Sequence, residues 1–277
     1  MTAVALALCA SLAWGVADFG AGVGARRLPA FVVAAGMQIA GLAVAAIVLA
    51  VLREPVPRAG EVGWAIFAGL AGVLGLSAFY RALAVGTMGI VGPISSLSAL
   101  VPLTYGLARG ERPSTLHLAG VALAISGGIG ASLEPVPDSA RRRIGAGVGL
   151  ALLAALGFGG SLVGLSNAAP GGIGWATFVM RAAAAPTLLV LALSVGGRRP
   201  GGRLLPLLVA VGIFDTGANL LYSAATTRGL LSVVSVLASL YPIVIVVLAR
   251  VFLHERVASP QLAGVGVALA GVAMISA

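Results

Sequence analysis

Four polar residues recur at helical spacing within an otherwise apolar stretch. Asp215, Asn219, Tyr222 and Thr226 follow one another at steps of four, three and four. That spacing puts all four on one face of a helix. A stripe of carboxylate, amide and hydroxyl groups is costly against lipid, so it must face protein or water. It suits either a cavity wall that hydrogen-bonds a polar solute or bonding between helices.

Other positions carry compatible chemistry. Ser11, Trp14 and Asp18 share a face of the first apolar stretch, where Trp14 can wall a pocket for an apolar or aromatic group. Ser77 and Tyr80 stand in the third stretch at places that match the polar stripe of the eighth. Phe158 and Ser161 repeat the Trp14 position in the second half of the chain. Ser95 and Ser98, and then Ser232, Ser235 and Ser239, offer hydroxyls that can meet a carboxylate or ammonium group, or bond back to their own helix. Arg181 lies about ten residues into its apolar stretch, where a charge demands a partner; Asp215 is the acid at comparable depth. Candidate solute-binding residues are therefore Trp14, Asp18, Ser77, Tyr80, Ser95, Ser98, Phe158, Ser161, Asp215, Asn219, Tyr222 and Ser239.

The sequence offers little for catalysis. It has no phosphate-cradling Walker sequence. Cys9 is the one cysteine and His117 and His254 both lie near loops, so no metal cluster or cofactor is expected. Gly159-Gly160-Ser161 lacks the following glycine of a nucleophile elbow.

Membrane helices are needed to position these residues. Mean hydropathy is +1.10, 60% of residues are hydrophobic and 9% are charged, against roughly 25% charged in a soluble domain. So much apolar surface requires a lipid solvent. A bilayer span takes about 20 apolar residues. Ten such stretches are expected, at about 3–23, 30–52, 62–83, 88–108, 115–132, 145–166, 172–195, 204–226, 230–251 and 260–276. The first lacks a charged leader and is read as a retained helix. All 17 basic residues are Arg and most fall between spans. They form no basic domain, so the net charge of +9 does not imply nucleic-acid binding.

The chain repeats itself. Glu111-Arg112 precedes Leu118-Ala119-Gly120-Val121, and Glu255-Arg256 precedes Leu262-Ala263-Gly264-Val265, an offset of 144. Ala13-Trp14-Gly15 matches Gly157-Phe158-Gly159 at 144, Phe79-Tyr80 matches Leu221-Tyr222 at 142, and Pro102 matches Pro242 at 140. This predicts an all-α membrane protein of two five-helix units, 1–132 and 145–277, joined by a loop at 133–144. An odd helix number per unit inverts the second relative to the first and places a site between them near the midplane. The Glu-Arg pairs and Pro113 and Pro260 read as helix-start devices. With the N-terminus outside, ten loop Arg fall inside and five outside.

Ten spans in two repeats, an aromatic-Gly near the start of each, and a Glu-Arg pair before an apolar Gly-containing helix in each resemble the drug/metabolite transporter superfamily. Within it the chain is most similar to bacterial ten-helix exporters with two EamA-like domains. The resemblance implies a secondary transporter, not an enzyme, that exports small metabolites, most often amino acids, across the inner membrane by alternating access. Within the family, the aromatic and broad amino-acid exporter branch fits the polar and aromatic site best. The expected partners are a small solute and membrane lipid, and a monomer is expected to suffice. The resemblance also implies cytoplasmic termini, opposite to the Arg count. Efflux of cationic drugs or nucleotide sugars is the alternative. Asp18 lies closer to its helix end than the acid of the small multidrug branch, so the resemblance does not carry proton coupling through that helix.

Overall fold

The computed structural model describes residues 1–85, 91, 94–131, 144–195, 201–202, 204–254 and 259–276. Its helices are α1 (Thr2–Ala25), α2 (Ala30–Leu52), α3 (Ala59–Val85), α4 (Leu100–Ala108, after a 3-10 turn at Ser96–Ala99), α5 (Thr115–Ala131), α6 (Ile144–Ala168), α7 (Ile173–Ser194), α8 (Leu205–Thr226), α9 (Leu231–Ala238), α10 (Tyr241–Phe252) and α11 (Ser259–Ser276). No strand occurs among the described residues.

Among the described residues, seven helical segments are long and apolar enough to cross a bilayer: α1, α2, α3, Gly147–Gly171, α7, α8 and the combined Leu231–Phe252. Three shorter apolar helices, Leu97–Ala108, Thr115–Ala131 and Ser259–Ile275, fall where the sequence predicts the fourth, fifth and tenth spans. The ninth predicted span is broken into α9 and α10. Pro242 explains the break, because it lacks an N–H and its ring crowds the carbonyl four residues earlier, at Ala238. The linker 133–144, the second Glu-Arg pair at 255–256 and Pro93 lie, apart from Ile144, outside the described residues.

The bundle is apolar outside and mixed inside. Leu12, Ile47, Leu74, Leu193 and Phe252 are exposed, whereas Ser11, Gln38, Thr177, Arg181, Thr216, Asn219, Ser223, Ser232 and Ser235 are buried. Water would select the reverse; hydrocarbon selects this arrangement. The main helix partners are α3 with α6, α5 with α11, α1 with α8, α2 with α7 and α8, and α3 with α7; α1 with α10 and α4 with α9 follow. Small residues make the tightest of these contacts possible. A Cβ added at Gly157 would fall 2.5 Å from the Gly75 backbone, so α6 and α3 could not approach so closely with alanine there.

Candidate functional site

Two polar clusters lie inside the bundle and a third set of contacts binds its loops. The first cluster joins α2, α7 and α8. Arg181, midway along α7, is only 1% exposed. Its Nη2 donates to Asp215 Oδ2 at 2.6 Å and its Nη1 donates to Gln38 Oε1 at 2.8 Å. Gln38 Nε2 donates back to the Arg181 carbonyl at 3.1 Å. Thr216 donates to the Gly41 carbonyl at 3.2 Å, and Asn219 Nδ2 donates to the Asp215 carbonyl at 2.7 Å. Gly41 leaves room for the guanidinium: a Cβ there would stand 2.6 to 2.8 Å from Thr216 Oγ1 and the Arg181 head group. The charge is thus nearly fully met by protein, apart from Nε, which has no partner. Asp215 is the partner that the sequence predicts for Arg181; Gln38 is an addition that sequence reasoning missed. Its signal was that it is the one amide within an otherwise apolar span.

The second cluster is aromatic and acidic. The Trp14 and Tyr222 rings lie 5.7 Å apart at 44°, holding that face of α1 toward α8. Asp18 is one turn beyond Trp14 on the same face. It is exposed, although Ala17 beside it is wholly buried. Its charge interacts with Asp215 on α8, Tyr80 on α3 and Tyr241 at the start of α10. Here α1 packs on α8 and α10, and the Tyr241 carbonyl lies against Gly15, less than one turn before Asp18. No described residue forms an ion pair or hydrogen bond with its carboxylate. Tyr80 meets Phe31 edge-to-face at 5.3 Å, and Phe79 connects Tyr80 and Phe158, each at 6.1 Å. Tyr241 was not foreseen, although it stands directly before Pro242 in the repeated proline position.

The remaining sequence-predicted residues are placed as follows. Tyr222 is fully buried; its hydroxyl donates to the Leu162 carbonyl at 3.3 Å and shares a 2.8 Å hydrogen bond with Ser235. Ser239 donates to the carbonyl of Ser235 at 2.7 Å. Ser161 sits at the α3–α6 contact, beside Gly72. Ser77 is half-buried. Ser95 and Ser98 are buried, and the Ser95 hydroxyl has no partner. The structure thus gathers Trp14 with Tyr222, and it sets Asp18 within electrostatic reach of Tyr80 and Asp215. Asn219, Tyr222 and Ser239 have polar atoms bonded within the protein.

The third set of contacts is formed by two glutamates. Glu54, after α2, accepts from the backbone N–H of Gly174 at 2.9 Å and of Trp175 at 3.2 Å, at the start of α7. Glu111, after α4, accepts from the N–H of Leu231 at 2.7 Å and of Ser232 at 2.9 Å, at the start of α9. A carboxylate there satisfies orphan donors and complements the helix dipole. This corrects one expectation. Glu111 is a helix-start device, but for a helix 120 residues away; Ser114 caps its own helix, α5, by accepting from His117 N–H at 3.2 Å.

A lipid-facing apolar surface around buried polar clusters defines a multi-pass integral membrane protein with an internal polar region. The chain belongs to the EamA-like transporter family, whose model matches residues 1–133 and 145–277. Membership makes it a membrane transporter with a small-molecule substrate. No curated protein matches the chain. A solved structure described as "Crystal structure of protein" shares the fold at a TM-score of 0.81 and 18% identity, covering 99% of this chain and 98% of its own.

Proposed function

We propose that the protein is a secondary transporter that exports small metabolites, amino acids foremost, across the bacterial inner membrane by alternating access. The observation that carries this reading is the placement of Asp18, exposed on α1 one turn from the Trp14–Tyr222 contact with α8, inside a lipid-facing bundle. The solute site comprises Trp14, Asp18, Tyr80 and Phe158 as contact groups. Ser77, Ser95, Ser98 and Ser161 supply hydroxyls nearby. Asp215, Asn219, Tyr222 and Ser239 shape the wall, their polar atoms being already engaged.

The proposed architecture is ten spans in two inverted units, 1–132 and 145–277. Two features support it. Exchanging α1 with α6, α2 with α7, α3 with α8, α4 with α9 and α5 with α11 turns the α1–α8 contact into the α6–α3 contact and maps α2–α7, α4–α9 and α5–α11 onto themselves. Glu54 and Glu111 also require the end of α2 to share a side with the start of α7, and the end of α4 with the start of α9. Each condition holds when four crossings intervene. Rocking of one unit against the other then exposes the site to each side in turn.

The test is counterflow in proteoliposomes preloaded with amino acids, nucleotide sugars or quaternary amines. Amino acids should exchange. Exchange of quaternary amines alone would favour drug efflux, a reading supported by the unpaired Asp18 carboxylate. Exchange of no solute in the panel would contradict transport of these classes.

A further inference from the structure

We infer that Asp18 anchors a protonated amine on the transported solute, an inference that rests on the transport reading above and specifies its chemistry. Two carboxylates lie in one charge neighbourhood. Asp215 is bound by the Arg181 guanidinium, which Gln38 also holds. Asp18 receives no cation and no donor from the described residues. When Asp18 is ionised, the charges of Arg181, Asp215 and Asp18 sum to one negative.

A buried polar region with a surplus charge is costly unless water or a ligand meets that charge. Asp18 can be reached, since it is exposed while the adjacent Ala17 is sealed. It lies one turn beyond Trp14, whose ring lies against Tyr222 of α8, so it shares the face of α1 that is turned to α8. Tyr80 and Tyr241 lie within electrostatic reach of it, the Tyr241 carbonyl against Gly15 on the same helix, and the Phe31, Phe79 and Phe158 rings continue from Tyr80. An acid beside aromatic faces suits a cation, which gains both the carboxylate and the ring quadrupoles. It does not suit an anion. Arg181, the obvious anion-binding group, is committed to Asp215 and Gln38. An ammonium with N–H groups can hydrogen-bond Asp18 and the tyrosine hydroxyls; a quaternary amine cannot.

The test compares three solutes with the same ring and chain length: phenethylamine, phenylalanine and 3-phenylpropionate. Equilibrium binding is measured on the purified full-length chain. The wild type should bind the first two and not the third. Asp18→Asn should weaken both amine-bearing ligands by about tenfold or more, in keeping with loss of a charged hydrogen bond, and Asp18→Glu should restore part of the loss. Preferential binding of 3-phenylpropionate, binding of none of the three, or unchanged amine binding by a folded Asp18→Asn protein would overturn the inference. The wild-type comparison decides the matter even if the Asn variant fails to fold. Counterflow of a solute lacking an amine, with no response to these amines, would overturn the anchor and leave the transport reading intact.

Discussion

Asp215 and Asp18 are two carboxylates at the heart of one bundle, and their surroundings assign them different work. Asp215 lies 2.6 Å from a guanidinium that is itself only 1% exposed and is held by Gln38 as well. Asp18 is exposed and has no such partner among the described residues. A charge that the protein has already satisfied is bound into the fold. A charge left open within a membrane is available to a solute. The comparison teaches that depth in a span does not by itself mark a binding residue; the state of its hydrogen bonds does.

The largest predicted effect follows from breaking the satisfied pair. Arg181→Ala leaves Asp215 partly buried without its cation and should cost about 3–5 kcal/mol of stability, read as a large fall in melting temperature in detergent. The double variant Arg181→Met with Asp215→Leu should recover much of that loss, because removing both charges spares the desolvation cost. If the single variant melts like the wild type, the pair is not structural.

Next in size is the space that Gly41 leaves for the guanidinium. Gly41→Ala places a methyl group 2.6 to 2.8 Å from Thr216 Oγ1 and Arg181. Overpacking of this kind costs about 1–3 kcal/mol, so a smaller fall in melting temperature is expected. Glu111→Gln should act on the fold's rim, loosening α9 by about 1–2 kcal/mol through loss of a charged cap. Hydrogen exchange at Leu231 and Ser232 should quicken, while exchange at the start of α7, held by Glu54, stays as it was. Tyr222→Phe should have the smallest effect, about 1 kcal/mol. It removes the bonds to Leu162 and Ser235 but keeps the ring against Trp14. Solute binding should survive it.

Much of this was legible in the sequence because it depends on short-range spacing. The stripe from Asp215 to Thr226 follows from helical periodicity, and the pairing of Arg181 with Asp215 follows from the scarcity of mid-span charge. What was not legible depends on register between distant segments. Glu111 reads locally as the start of α5, yet its carboxylate reaches α9. Gln38 gains its meaning only when α2 is set against α7. The contact of Trp14 with Tyr222 joins two residues that no spacing rule relates, one from each half of the chain. Asp18 was visible as an acid in a span, but its lack of a partner is a property of the assembled bundle.

Thiol labelling at position 18 tests the central claim most directly. In a Cys9→Ala background, Asp18→Cys is exposed to a charged, membrane-impermeant methanethiosulfonate from each side of the vesicle. Ala17→Cys serves as the sealed neighbour, since Ala17 is 0% exposed. The account predicts that position 18 reacts through an aqueous path, while position 17 stays unreactive. Equal rates at 17 and 18, or no reaction at 18 from either side, would contradict it.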